Sequence, residues 1–174
     1  MSATENNQCE LEKTIRIKAE IVLHALAEKK ERLSLAESCT GGLISKIITD
    51  IPGSSDVFEE SVVTYSNESK EHRLRVSSYT LNKFGAVSSQ CVEEMATGLL
   101  VGSNSDLAFS VSGIAGPTGG SLEKPVGTVH FGIANKNVTK TFKYNFDGER
   151  DEIRLKAALQ AFEIMKEFIE KGDL

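Results

Sequence analysis

The chain has 174 residues, 40% of them hydrophobic and 26% charged, which is material for one domain with a substantial core. A net charge of −5 and a pI near 5.3 exclude broad binding to nucleic-acid backbones, which need a basic face. Cys9, Cys39 and Cys91 form no C-x-x-C pair, and with three scattered histidines they give no zinc-ligand spacing, so reduced thiols in a cytoplasmic protein are expected.

Residues 1–8 are polar and expected to be disordered, with residues 9–174 forming the domain. The N-terminus has no apolar signal core and no stretch approaches eighteen apolar residues, so neither secretion nor a membrane span is expected. From Glu10 to Lys29, Ile17, Ile21, Val22, Ala25 and Leu26 recur at helical spacing. Arg32 to Glu37 alternates like a short strand. It runs into Ser38-Cys39-Thr40-Gly41-Gly42, and LISKIITD then reads as a helix. Pro52 to Ser55 is a turn, Ser61 to Tyr65 a β-branched strand, and Asn67 to Arg75 a charged helix.

After a break at Gly85-Ala86-Val87, a helix from Ser88 to Val101 places Val92, Met95, Ala96 and Leu99 on one face. Leu107, Phe109 and Val111 alternate in a strand that empties into the glycine-rich stretch Gly113 to Gly120. Val129, Phe131 and Ile133 mark the next strand, and Val138, Phe142, Tyr144 and Phe146 another, the two reading as a hairpin. A last amphipathic helix begins near Glu149, with Leu155, Ala158, Leu159, Phe162, Met165 and Ile169 inward. Strands alternating with helices predict a single-domain α/β sandwich, a mixed β-sheet covered by helices.

Glycine-rich turns after strands are where α/β folds hold ligands, because backbone N–H groups and a helix dipole attract anions. Two are present, Ser38 to Gly42 and Gly113 to Gly120. Neither is a Walker A loop or a G-x-G-x-x-G, and each also reads as a plain tight loop. Ser54 and Ser55 either cap a turn or supply a nucleophile. No G-x-S-x-G elbow occurs, and His24, His72 and His130 have no Asp partner by motif, which argues against a Ser-His-Asp triad.

A lysine serves as base only when neutral, and pulling it down from its ordinary range takes roughly 4 kcal/mol of burial or nearby positive charge. Tyr65 and Lys70 are therefore either a proton relay or a strand-end tyrosine beside a solvated helix lysine. Cys39 is either a nucleophile near a helix N-terminus or a small buried residue. Arg150 either grips an anion or pairs with Asp151 or Glu152.

Six motifs in fixed order join these residues. They are Ala36-Glu37-Ser38-Cys39-Thr40-Gly41-Gly42, Pro52-Gly53-Ser54-Ser55, Val63-Thr64-Tyr65-Ser66-Asn67-Glu68 with Lys70, Gly85-Ala86-Val87-Ser88, Ser112 to Pro117 with Gly119-Gly120, and Lys124 to Val129. Together they closely resemble the C-terminal domain of the CinA family, the nicotinamide-nucleotide amidase domain, over nearly the whole chain.

The resemblance implies hydrolysis of the carboxamide of nicotinamide mononucleotide (NMN) to nicotinic acid mononucleotide and ammonia, in pyridine-nucleotide salvage. No metal or cofactor is implied. It matches Ser55 to the nucleophile, with Ser54 and Ser38 left open as alternatives, Tyr65 to the tyrosine and Lys70 to the base. Substrate contacts are implied for Ser38, Thr40, Gly41, Gly42, Asn67, Ser112, Gly113 and Arg150. Self-association is expected, and neither nucleic acid nor membrane is an expected partner. Ser69 stands where alanine is common, and Arg75 where glycine often precedes the valine. Many members carry a further N-terminal domain for which these 174 residues have no room, so the amidase activity alone is expected.

Overall fold

The computed structural model describes residues 3–172. Its elements in chain order are α1 (Ala3–Lys29), β1 (Leu33–Glu37), α2 (Leu43–Thr49), a single 3-10 turn at Ser54–Asp56, β2 (Phe58–Val63), α3 (Asn67–Leu74), α4 (Ser78–Phe84), α5 (Ser89–Gly102), β3 (Leu107–Gly113), β4 (Thr128–Asn135), β5 (Thr139–Asn145) and α6 (Arg150–Lys171). The five strands make one mixed sheet in the order β2-β1-β3-β4-β5. β1 runs parallel to both neighbours, while β3, β4 and β5 are antiparallel in succession, so the expected hairpin is present.

Helices cover both faces. Leu33 and Leu35 of β1, with Leu107, Phe109 and Val111 of β3, bury against α1, α2 and α6. The alternate residues Ala36 and Ala108 face α3, α4 and α5, packing on Leu74, Leu81, Val92, Met95 and Leu99. Period-two alternation along a strand separates these sets. Because both sides of β1 are covered, all five of its residues are buried, including Ser34.

Several boundaries differ from the sequence reading. The helix expected from Glu10 begins at Ala3, inside the stretch read as a polar tail; Met1 and Ser2 lie outside the described residues. Its buried face is Ile15, Ala19, Val22, Leu23 and Leu26, whereas Ile17 and Ile21 are exposed. The i, i+4 spacing of Ile17 and Ile21 fits a helix but not its inward stripe. β2 starts three residues before the expected Ser61. α4 had no sequence counterpart; it is a short helix whose start is fixed by Ser77, which accepts a hydrogen bond from the Thr80 amide.

Candidate active site

The parallel strands leave their carboxyl ends at one end of the sheet, and the chain departs from β1 into α2 on one face and from β2 into α3 on the other. Such a switch point opens a crevice. Here it is a cavity of about 340 Å³, with Ser38 and Cys39 following β1, Tyr65 and Lys70 following β2, Ser112 and Gly113 ending β3, and Ile114 to Gly116, Thr118 and Gly119 following it. Ala86, Val87 and Arg150 complete its wall.

Lys70 lies in the first turn of α3, whose start is set by the Ser66 hydroxyl accepting from the Ser69 amide. Its side chain runs inward and is only 1% exposed. Nζ donates to Ser38 Oγ at 2.9 Å and to the Thr64 carbonyl at 2.7 Å, with the Tyr65 carbonyl at 3.5 Å. No carboxylate is among these partners. Burial therefore pushes the Lys70 amine below its ordinary range. Ser38 is itself buried, and its amide donates to the Val111 carbonyl, continuing the β1–β3 ladder by one step.

The turn after Ser38 is fixed from two sides. Gly41 and Gly42 both have positive φ, 61° and 90°, a conformation that glycine adopts without steric cost. Glu37, the last residue of β1 and 1% exposed, points its carboxylate at the start of α2. It accepts from the amides of Gly42 at 3.0 Å, Ile44 at 3.2 Å and Ser45 at 2.8 Å. On the other side, Arg154 donates to the Thr40 carbonyl at 2.8 Å.

At the mouth, Arg150 donates to the Gly116 carbonyl at 2.7 Å and to Tyr65 Oη at 3.2 Å. The Tyr65 ring is exposed. Its main chain approaches Lys70, while its hydroxyl belongs to the arginine.

Of the expected site residues, Ser38, Tyr65, Lys70, Ser112, Gly113 and Arg150 line one pocket. Ser55 does not join them. It is exposed in the 3-10 turn before β2, and β1 and β2 run parallel with Leu33 opposite Phe58 and Glu37 opposite Val63. Ser55 thus sits beyond one end of the strands and Ser38 beyond the other, separated by about 16 Å of strand at roughly 3.3 Å per residue. Ser54 shares that turn.

Thr40, Gly41, Gly42 and Asn67 are not in the wall either. The Gly42 amide is taken by Glu37, the Thr40 carbonyl by Arg154, and Asn67 is exposed at the start of α3. The first glycine turn therefore positions Ser38, and its helix start is filled by the chain's own carboxylate. Cys39 also lines the pocket, but burial pushes its thiol up to about 12, which leaves it protonated and a poor nucleophile. Cys91, pushed up to about 11, is likewise a thiol.

Glu37, Arg154, Ala86 and Val87 were not singled out from the sequence as site residues. Glu37 had one legible signal, a carboxylate ending a strand without other charges, ahead of a small-residue turn and a helix. A larger cavity of about 420 Å³ between α1, α2 and α6 contains Cys9 but neither serine nor histidine. Among the described residues no group of His, Cys, Asp and Glu is arranged to hold a metal, and no helix is long and apolar enough to cross a membrane.

Fold and site together define a three-layer α/β protein with a serine–lysine pair in a pocket at the sheet's switch point. Residues 16–169 match the CinA C-terminal domain, and the chain belongs to that family. It is 54% identical over 147 residues to a nicotinamide-nucleotide amidohydrolase, PncC, of Enterobacter agglomerans, covering 83% of this chain and 90% of that protein. It is 53% identical over 148 residues to a CinA-like protein of Endomicrobium trichonymphae, matching 85% of this chain but 35% of that longer protein. The chain thus spans about a third of the length of several curated relatives it matches. Among solved structures, the competence damage-inducible protein A of Klebsiella pneumoniae superposes with a TM-score of 0.87 at 34% identity, over 90% of this chain and 98% of that one. The competence/damage inducible protein CihA of Agrobacterium tumefaciens gives 0.85 at 40% identity, over 91% and 96%.

Proposed function

We propose that this chain hydrolyses the carboxamide of nicotinamide mononucleotide, with Ser38 as nucleophile and Lys70 as base, in pyridine-nucleotide salvage. The observation that carries the chemistry is the 2.9 Å contact between Lys70 Nζ and Ser38 Oγ, made by a buried lysine that pairs with no carboxylate among the described residues. The substrate follows from the kinship with PncC.

Neutral Lys70 accepts the Ser38 proton as Oγ bonds to the carboxamide carbon. The Cys39 amide, next to the nucleophile, stabilises the oxyanion. Lys70 returns the proton to the amide nitrogen, the C–N bond breaks, and ammonia leaves an ester on Ser38. Water then attacks this ester while Lys70 takes a proton from it; the ester bond breaks, Ser38 is reprotonated, and the product leaves as a carboxylate. Arg150, the permanent cation of the wall, meets the substrate's phosphate, and Ser112 and Gly113 line the opposite side. Tyr65 supports Lys70 through its main chain and Arg150 through its hydroxyl.

The test is ammonia release from NMN by wild type, Ser38→Ala and Ser55→Ala. Ser38→Ala is expected to lose activity by about 10³-fold or more, while Ser55→Ala stays within about twofold, as an exposed residue outside the pocket should. The reverse order would return the nucleophile to Ser55. Binding of NMN by a folded wild type without ammonia release would make the domain a nucleotide-binding module.

A further inference from the structure

Glu37 lies behind Ser38, away from the pocket, yet it touches both halves of the pair. Its carboxylate takes three amides of the turn and helix that follow Ser38, at 2.8–3.2 Å. Its carbonyl accepts from the Thr64 amide at 2.9 Å, and the Thr64 carbonyl is what receives Lys70 at 2.7 Å. One residue thus sets the serine's loop through its side chain and the lysine's acceptor through its main chain. The Gly41 amide adds a bond back to the Ser38 carbonyl at 3.1 Å, closing the turn around the serine. A buried carboxylate at a helix start compensates for its lost hydration only while all of these donors stay in place, so it resists displacement of the loop in any direction.

We propose that Glu37 is a positioning residue for the Ser38–Lys70 pair: a built-in anion at the start of α2 that fixes the serine hydroxyl within reach of the amine. The proposal rests on the Ser38–Lys70 reading above. It also implies that a substrate anion binds on the Arg150 side of the pocket, because the start of α2 is already neutralised from within.

The test uses a small fluorophosphonate, which reacts with an activated serine whatever the natural substrate. Ser38 Oγ bonds to phosphorus, fluoride leaves, and Lys70 takes the serine proton. Glu37→Gln keeps the side chain's shape but turns one acceptor into a donor facing N–H groups. It should slow labelling of Ser38 by about tenfold or more, since a misplacement near 1 Å can cost up to about 10²-fold. It should leave KM for NMN and the pH midpoint of labelling unchanged.

Glu94→Gln is the control. Glu94 accepts from the Ser77 amide and the Thr80 hydroxyl, capping α4, and hydrogen-bonds to neither member of the pair, so its loss should lower the melting temperature without slowing labelling. If Glu37→Gln does not fold, Ser45→Pro removes the 2.8 Å donor to Glu37 together with the hydroxyl's 3.0 Å bond to the Gly42 carbonyl, at a position in the first helical turn; Ser45→Ala removes the hydroxyl alone, and labelling should be slower in Ser45→Pro than in Ser45→Ala. Labelling of the folded variant within twofold of wild type, or a slowing equal to that of Glu94→Gln, would overturn the positioning role. Absence of label on Ser38 in wild type would instead overturn the pair on which it rests.

Discussion

Lys70 is only 1% exposed, although α3 is a short helix rich in charge. As text it is one lysine in a charged helix, and helix charges usually face water. What turns it inward is its place in the first turn of α3, directly over the strand ends, where its Nζ reaches Ser38 and the Thr64 carbonyl. No periodicity announces that, and the sequence likewise left Ser55, Ser54 and Ser38 open: Ser38 and Ser55 both lie in recognisable motifs, and only the parallel register of β1 and β2 shows which of them lies beside Lys70. Burial lowers the folded-state pKa of Lys70, so activity should rise with pH as the amine loses its proton, with the midpoint below the ordinary lysine value of 10.5. Lys70→Ala should lose about 10²–10⁴-fold in kcat and lose this rising limb as well. A pH–rate profile of both proteins checks it. The sign for stability is consistent: the cost of burying the charge is present in full below the folded value and is relieved as pH rises toward 10.5.

At the scale of elements, α6 carries two arginines one turn apart with different work. Arg154 holds the Thr40 carbonyl in the turn that follows Ser38, and Arg150 spans the mouth from Gly116 to Tyr65. The helix itself was legible from its apolar stripe; the Glu149–Glu152 capping box that starts it and the reach of Arg154 across 114 positions were not. α3 shows the opposite case, a departure in the sequence that the backbone explains. Arg75 follows its last turn with φ of 58°, the left-handed conformation that glycine takes most readily. That is the physical reason glycine suits this position. Arg75→Gly should therefore stabilise the protein by up to about 1 kcal/mol, read as a rise in melting temperature of about 2–4 °C. A lower melting temperature would show that the arginine side chain contributes more than the strain costs.

Across the whole molecule, the layered α/β architecture was readable because it rests on periodicities that a short window reveals. The pocket was only half readable, because it is assembled from three strand ends and the start of the last helix, residues 38 to 150 in sequence. His130, on β4 opposite Ser112, belongs to the same long-range order. Burial, with Lys143 and Lys124 nearby, pushes its imidazole down to about 4 from 6.5. Its neutral form therefore supports the fold above pH 6.5, and that contribution is lost progressively as pH falls toward 4. Thermal melts over this range should show a declining midpoint in wild type and a flatter line in His130→Gln.

The position of β1, bonded on both edges and buried on both faces, has one more consequence. The pocket's floor belongs to the part of the fold that opens only when everything unfolds, whereas its rim is an exposed tyrosine, an arginine and a glycine loop. Floor and rim thus have separate thermal lives. On the proposed chemistry, KM for NMN is expected to rise on warming before kcat falls, and kinetics measured over a temperature series check it.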